Sequence, residues 1–170
     1  FAVKRFDRNG DKRLHMHTVS GLIYHNFRFP SLDYEDLLSL TMAITKDIRE
    51  VEKMFRLAVF NVMAHNRDDH AKNFSFLMNE FGEWKLSPAY DLTYSNGPGG
   101  EQSTMVMGEG RNITIEHLIK LGLEAKISKE LIDQIIEKTR NSLSKWNYLA
   151  NIYGISKSNI ELINRALIKL

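Results

Sequence analysis

The chain has 170 residues, of which 43% are hydrophobic, and this size and composition fit one globular domain with a buried core. Its formal net charge is only +2, with basic and acidic residues intermixed, so charge gives no sign of a nucleic-acid-binding surface. The absence of cysteine excludes disulfides, and no apolar run approaches the length of a membrane span, so we expect a soluble, cytoplasmic protein.

The start of the chain favours a strand followed by a turn. Residues 2–6 alternate loosely between polar and apolar side chains, and residues 7–11 are rich in turn-forming types. The acids of this turn lack the glycine and the glutamate that a calcium-binding loop requires, so a hairpin turn is favoured. His15 and His17 are a possible metal-binding pair, although no third ligand is near in sequence.

Two helices are predicted next. Ser31 is placed to cap the first, which has acids in its first turn and extends to about Thr45. The second has apolar residues at helical spacing, namely Ile48, Val51, Phe55, Ala58 and Val62. The C-terminal end of this helix points into the polar segment that starts at Asn66. A rigid helix is thus expected to position that segment.

The segment after this helix is the most informative part of the chain. Residues 66–73 read Asn-Arg-Asp-Asp-His-Ala-Lys-Asn, and Asp68 and Asn73 have the spacing of the D-x-x-x-x-N catalytic loop of protein kinases. In such a loop the Asp orients the attacking hydroxyl and the Asn binds magnesium. The same residue types also suit a polar loop whose side chains cap turns, so spacing alone leaves both interpretations open.

A second acid follows a predicted hairpin. Residues 74–78 and 84–86 are apolar stretches separated by a polar turn, which predicts two strands, and Asp91 comes shortly after them. Kinases have a further magnesium ligand, an Asp, beyond a short hairpin, and a hard cation prefers oxygen ligands. Asp91 is therefore the candidate partner of Asn73 in a magnesium site.

Several segments carry a resemblance, in the same order along the chain. They are His-Ala-Lys-Asn-Phe-Ser at 70–75, Leu-Ser-Pro-Ala-Tyr-Asp-Leu-Thr at 86–93, Arg-Phe-Asp-Arg at 5–8, and the glycine-rich stretches 97–101 and 108–112. From about Phe1 to the Trp146 region, the chain resembles the C-terminal region of HipA-family serine/threonine kinases. This resemblance implies a mainly α fold with a small β component, a helical C-terminal lobe related to protein kinases, over residues 1–170.

The resemblance also implies a function. A HipA-like kinase is the toxin of a bacterial toxin-antitoxin pair, and it transfers the γ-phosphate of ATP, with Mg²⁺, to a serine or threonine of a protein substrate. A small helix-turn-helix antitoxin is the implied partner, through which any DNA contact is indirect. By position, Asp68 is the catalytic base, and Asn73 and Asp91 are the magnesium ligands. The implied nucleotide-binding residues are Lys4, Arg5 and Phe6 at the adenine hinge, and His70, Ala71, Lys72, Asn73, Tyr90 and Asp91 in the two motifs.

The sequence lacks the phosphate-binding elements that protein kinases carry in their N-terminal lobe. Neither G-x-G-x-x-G nor G-x-x-x-x-G-K-[ST] is present, and no strand lysine precedes the presumed hinge. We therefore expect residues 1–6 to form the hinge strand and the N-terminal nucleotide lobe to come from the same or another chain. The chain alone is expected to bind ATP weakly and to transfer phosphate negligibly.

The remainder predicts a loop and a group of helices. Residues 95–111 are rich in glycine and small polar residues, and we expect an ordered loop beside the site that contacts substrate or antitoxin. Thr114 and Ser128 are placed to cap two helices, and residues 158–161 form a capping-box pattern that opens the last one. Residues 143–153 are expected to pack between them.

Two other classes of function remain open. The first is a catalytically silent helical module that binds an antitoxin or transcriptional regulator. The second is a metal-dependent hydrolase that uses His65, His70 and the neighbouring acids, which would take up a transition metal tightly. Loss of phosphate transfer on substitution of Asp68 or Asp91 would favour the kinase over both.

Overall fold

The computed structural model describes residues 3–24 and 32–167, and this part of the chain is mainly α-helical with a small β component, as predicted. The helices are α1 (Val19–Leu22), α2 (Tyr34–Thr45), α3 (Ile48–Met63), α4 (Ile115–Glu124), α5 (Lys129–Leu143), α6 (Trp146–Ile152) and α7 (Lys157–Leu167). The strands are β1 (Arg8–Asn9), β2 (Lys12–Arg13), β3 (His15–Thr18), β4 (Leu32–Asp33), β5 (Ser75–Met78), β6 (Trp84–Leu86) and β7 (Thr104–Met105). None of these helices is both long and apolar enough to cross a membrane.

The first strand does not lie where the sequence predicted it. Residues 3–6 are not in a strand, and Ala2 lies outside the described residues. The first ladder is formed by β1 and β2, which pair antiparallel around Gly10. Gly10 has φ +60°, a conformation that glycine adopts without a steric penalty. The predicted hairpin turn is therefore confirmed, but the strand before it is wrong, because none of the described strands pairs with residues 3–6.

A three-stranded antiparallel sheet has the order β3-β5-β6. His17 of β3 lies opposite Phe76 of β5, and Phe76 lies opposite Leu86 of β6. The hairpin predicted at residues 74–78 and 84–86 is thus confirmed. Because its strands are antiparallel, the segment before β5 and the segment after β6 emerge at the same end of the sheet.

Helix α2 begins two residues later than predicted. Asp33 caps it, and Ser31 lies outside the described residues: the Asp33 carboxylate accepts from the Glu35 N–H at 2.9 Å, while the Asp36 carboxylate accepts from the Asp33 N–H at 3.4 Å. The Asp33 side chain also accepts from the Asp36 N–H, so that Asp33 and Asp36 form a reciprocal capping box. Strand β4 pairs in parallel with β7 at Leu32 and Asp33, which holds the backbone extended up to the cap. The predicted end at Thr45 is confirmed.

Helix α3 lies at the centre of the molecule. Four of its five predicted stripe residues are buried, whereas Ile48 is 40% exposed in the first turn. They pack into a core whose largest fully buried side chains include Tyr34, Phe55, Phe74, Phe76, Leu37, Met54, Leu118, Leu121 and Ile132. Glu50 of α3 is also buried, and its carboxylate accepts from the Leu86 N–H at 3.0 Å and pairs with Lys53 at 2.6 Å. This carboxylate fixes α3 against β6.

The C-terminal helices follow the predicted caps with one exception. Helix α4 begins after Thr114 and α5 after Ser128, as predicted. The prediction of a capping box at residues 158–161 is wrong, because α7 already begins at Lys157. The Ser156 hydroxyl accepts from the Asn159 N–H at 3.4 Å. Contrary to the prediction, residues 143–153 do not pack between the other C-terminal helices. In α6 only Ala150 is buried, and Tyr148, Ile152 and Tyr153 are 70%, 58% and 78% exposed.

Candidate active site

The predicted catalytic loop leaves α3 through a sharp turn. His65 has φ +55°, and its N–H donates to the Val62 carbonyl at 3.2 Å, while the Asn66 N–H donates to the Asn61 carbonyl at 2.8 Å. The loop then pairs with a second segment, since the Ser95 N–H donates to the His65 carbonyl at 3.0 Å. The end of α3 and the residues after Asp91 are therefore held side by side. The expectation that α3 aims this loop is confirmed.

A buried carboxylate lies beneath the loop. Asp69 is fully buried, and its side chain accepts from the Tyr34 hydroxyl at 2.5 Å, the Gln102 amide at 2.8 Å and the Thr104 N–H at 3.1 Å. Burial raises the pKa of Asp69 to about 7, although the three donors oppose that shift. Burial likewise raises the pKa of Tyr34, with a further contribution from the Asp69 charge.

Other polar side chains extend this contact into a network. The Asn61 amide donates to the Tyr34 hydroxyl at 2.9 Å, and the Asn66 amide donates to the Asn61 side-chain oxygen at 3.1 Å. Gln102 also donates to the Asn66 carbonyl at 2.7 Å. These hydrogen bonds tie the loop to α2, α3 and the segment around Gln102 at once, while the side-chain oxygen of Asn66 is buried with no hydrogen-bond partner among the described residues.

Sequence reasoning missed the buried network. Asp69 entered only as one member of a polar run, and Tyr34, Asn61 and Gln102 were not singled out. The only available signal was the pair of adjacent acids at residues 68 and 69, which the structure places in different environments. The structure places Asp69 inward and Asp68 outward, where Asp68 is exposed.

The two predicted magnesium ligands lie in contact. Asn73 precedes β5, Asp91 follows β6, and the Asn73 amide donates to the Asp91 carboxylate at 3.0 Å. Asn73 is buried and its N–H donates to the His70 carbonyl at 2.8 Å. Asp91 is exposed and has φ +56°, in the left-handed region. The carboxylate is therefore accessible to a solvent-borne ion, and the amide is fixed beside it.

These residues fit a magnesium ion. Adjacent oxygen ligands of an octahedral Mg²⁺ lie about 3 Å apart, which is the separation found between the Asn73 amide and the Asp91 carboxylate. Turning the amide over would place its oxygen, instead of its nitrogen, at that position. An amide oxygen and a carboxylate are ligands that a hard cation prefers. Asp68 lies in the same loop with its carboxylate open to solvent.

Some of the predicted nucleotide-binding residues are also brought together. The rings of Phe6 and Tyr90 pack with centroids 5.8 Å apart, and the Tyr90 hydroxyl donates to the Lys72 carbonyl at 2.6 Å. Partial burial raises the pKa of Tyr90. The segment before β1 therefore touches the segment that carries Asp91. Ala71 is buried, and its carbonyl accepts from the Ser20 N–H at 3.0 Å.

Lys4 and Arg5 are not drawn to these residues. Lys4 is exposed, and the Arg5 guanidinium binds both carboxylate oxygens of Asp7, at 2.8 and 2.6 Å. This ion pair holds the pKa of Asp7 below its usual value, chiefly through the hydrogen bonds from Arg5. A role for Lys4 and Arg5 at an adenine hinge stays a prediction.

The predicted transition-metal sites are not formed in the part of the chain that the structure describes. Within residues 3–24 and 32–167, no three side chains of His, Asp or Glu are placed to hold one ion. The His15 and His17 rings meet edge to face at 6.1 Å, and His15 packs on Trp84 at 5.4 Å. His65 stacks on Tyr94. The hydrolase alternative therefore has no metal centre among these residues.

Comparison with known proteins identifies the family. A family profile described as "HipA-like C-terminal domain" matches residues 1–146. The chain belongs to this family. "Putative kinase Y4dM" of Sinorhizobium fredii (strain NBRC 101917 / NGR234) is 23% identical to this chain over 168 residues. The matched region covers 95% of this chain and 39% of the relative. "Putative kinase Y4mE" of the same organism is 29% identical over 86 residues, covering 50% of this chain and 20% of the relative.

A solved structure shares the fold. It is the HipA of Shewanella oneidensis MR-1, described as a complex of the toxin-antitoxin proteins HipA and HipB with their operator DNA, and it superposes with a TM-score of 0.74 at 17% identity. The match covers 98% of this chain and 46% of that one. The HipA-like chain thus spans less than half the length of these relatives. The predicted resemblance and fold class are both confirmed.

Proposed function

We propose that this HipA-like domain is the C-terminal catalytic lobe of a serine/threonine-protein kinase that transfers the γ-phosphate of ATP to a protein hydroxyl. The observation that carries the proposal is the 3.0 Å contact between Asn73 and Asp91, formed beside a loop that also carries Asp68. Two relatives bear names that describe them as kinases, which supports the reaction class.

Each of the three residues has a defined role in this proposal. Asp68 accepts the proton of the substrate hydroxyl and orients its oxygen, a contribution of about 10²- to 10⁴-fold for a positioned general base. Asn73 and Asp91 hold Mg²⁺ through their side-chain oxygens. When bound, Mg²⁺ neutralises charge on the phosphates of ATP. The Asp69 network acts beneath them, because it keeps the loop in one conformation while Asp68 remains exposed.

The nucleotide would lie between this lobe and a second one. Phe6 and Tyr90, whose rings pack together, would form an apolar wall at the hinge side, and the loop from His70 to Lys72 would face the phosphates. Lys4 and Arg5 complete the hinge in this proposal. An N-terminal lobe, from the same or another chain, supplies the remaining phosphate contacts. The domain by itself would then bind ATP weakly.

The proposed partner is a small helix-turn-helix antitoxin. Its support is the structural relative, whose description names HipB and operator DNA beside HipA. Because the net charge of this chain is only +2, contact with DNA is proposed to occur through the antitoxin. The protein that receives the phosphate is a further partner of the proposed kinase.

The test is phosphate transfer by the full natural chain with labelled ATP and magnesium. Asp68→Ala and Asp91→Ala should each reduce transfer by about 10²-fold or more, with thermal unfolding curves like that of the unmodified protein. Asp133→Ala is the matched control, because it removes an exposed acid from α5, which lies outside the loop and the hairpin. Undiminished transfer in both site variants would contradict the mechanism. Antitoxin binding without any transfer would favour the silent helical module instead.

A further inference from the structure

A cleft of about 580 Å³ lies beside the catalytic loop, and Gln102 of the buried network is among its lining residues. His65 and Arg67 of the loop line one wall, and Tyr94 and Asn96, which follow Asp91 in the chain, line another. The segment before α4 and the last turns of α7 close the other side. Neither Asn73 nor Asp91 contributes to it, so this cleft is separate from the proposed magnesium ligands.

The side chains that line the cleft are cationic or neutral. Three arginines line it, Arg67, Arg111 and Arg165, and among the residues that the structure describes no aspartate or glutamate lines it. Arg111 is paired with the nearby Glu101 at 2.7 Å, and Arg67 donates to the backbone carbonyls of Gly100 and Arg111. A backbone carbonyl carries no net charge, so the Arg67 charge is not neutralised by these contacts.

Arg165 is the least constrained of the three cations. It is exposed on the last turn of α7, and within residues 3–24 and 32–167 no carboxylate lies within 4.0 Å of its guanidinium. Two charges, those of Arg67 and Arg165, therefore lack a neutralising acid in the described part of the cleft. An arginine fork binds a carboxylate with strong charge-assisted hydrogen bonds, so the cleft is complementary to an acidic ligand.

The rest of the lining suits a polypeptide better than a lone ion. Val62, Ile113 and Leu162 provide apolar surface, while Asn96 and Asn112 offer amides that can pair with a peptide backbone. The ring of Tyr94 stacks on His65 with centroids 5.4 Å apart, which makes a firm wall. Apolar contact, amides and separated cations together match an extended chain with acidic side chains.

We propose that this cleft binds an acidic stretch of the protein substrate and so presents a neighbouring serine or threonine to Asp68. The inference rests on the proposed kinase function and adds the class of sequence that the enzyme selects. Its geometric basis is the loop itself: Arg67 lines the cleft, and the next residue is the proposed base. Asp68 does not itself line the cleft, so a peptide held by Arg67 and Arg165 would bind beside the loop and its serine or threonine would extend past the lining to Asp68.

The test uses the full natural chain and two fluorescent peptides, each with one serine, flanked by glutamates in the first and by glutamines in the second. Anisotropy should show that the glutamate peptide binds at least about tenfold more tightly. Arg165→Glu should weaken that binding by about tenfold or more. Lys157→Glu makes the same change of charge at the other end of α7, outside the cleft, and should change binding less than about twofold.

The outcomes separate this inference from the kinase proposal. Equal binding of the two peptides, or equal losses in Arg165→Glu and Lys157→Glu, would overturn the cleft as an acidic-substrate site, even if Asp68→Ala still abolished phosphate transfer. Selective binding that depends on Arg165, in a protein whose transfer is insensitive to Asp68→Ala and Asp91→Ala, would overturn the catalytic roles instead. In an active enzyme, Arg165→Gln should raise KM for the glutamate peptide and leave kcat unchanged. A loss of kcat alone would contradict a binding role.

Discussion

The side-chain amide of Asn73 donates a hydrogen bond to the carboxylate of Asp91 across 3.0 Å, although 18 residues separate them in the chain. The β5–β6 hairpin causes this contact, because antiparallel strands return the chain to the end of the sheet at which it entered. The same arrangement brings Tyr90 onto the Lys72 carbonyl. Two contacts between the segments before and after the hairpin therefore fix the proposed magnesium ligands.

The buried acid beneath the loop predicts a pH-dependent stability. The pKa of Asp69 is raised from 3.8 to about 7 by burial, so between these values the folded state holds a proton that the unfolded state has lost. The free energy of unfolding should therefore fall as the pH rises through this window, by on the order of a few kcal/mol. Urea denaturation at a series of pH values measures this slope.

Asp69→Asn is the control for that slope. Its side chain resembles the protonated acid in shape but does not titrate, so the variant should lose less stability than the native chain as the pH rises from about 4 to about 7. The difference in unfolding free energy between the two proteins should change steadily across the window. A difference that stays constant with pH would show that Asp69 is not the titrating group.

The Tyr34 hydroxyl should contribute measurably to the stability of the network. It donates to Asp69 at 2.5 Å and accepts from Asn61 at 2.9 Å, so Tyr34→Phe leaves two buried polar groups with one partner fewer each. We expect a loss of about 1–3 kcal/mol in unfolding free energy. Tyr24→Phe, at a position 96% exposed, should change it by less than about 0.5 kcal/mol. Similar effects in the two variants would contradict the structural role of the network.

The loop around Gly97 should tolerate no side chain. Gly97 has φ +68°, and a Cβ there would lie 2.7 Å from the Cβ of Arg67 and 2.9 Å from its carbonyl oxygen. Gly82 is a matched control, since it has φ +78° but open space around the added atom. Gly82→Ala should cost about 1–2 kcal/mol from backbone strain alone, and Gly97→Ala should cost at least about 1 kcal/mol more. Thermal or urea unfolding of both variants checks this, and equal losses would refute the close approach.

The sequence predicted the elements that depend on local pattern. The apolar stripe of α3 and the apolar stretches of β5 and β6 are each encoded within one segment, and both were confirmed. The cap of α2 was misassigned because Ser31 and Asp33 are both good capping residues. What decides between them is distant: the Asp33 carboxylate also accepts from the N–H groups of Met107 and Gly108, at 3.2 and 2.7 Å.

The site was predicted only in its outer part. The spacing of Asp68, Asn73 and Asp91 follows a pattern that can be read along the chain, and the structure brings Asn73 and Asp91 into contact. The contacts of Asp69 with Tyr34 and Gln102 join residues 35 and 33 positions away, and no local periodicity reports such a pairing. Likewise, the exposure of α6 depends on what packs against it, which a helical pattern alone does not specify.

The most direct test of the account is divalent-ion binding at Asn73 and Asp91 in the full natural chain. Mn²⁺ can replace Mg²⁺ as a spin probe, and its binding in the presence of a non-hydrolysable ATP analogue is measured by electron paramagnetic resonance. We predict that Asp91→Asn and Asn73→Ala each weaken Mn²⁺ binding by at least about tenfold, whereas Asp133→Asn leaves it unchanged. Mn²⁺ affinity that is the same in all four proteins would contradict the magnesium site and, with it, the proposed kinase mechanism.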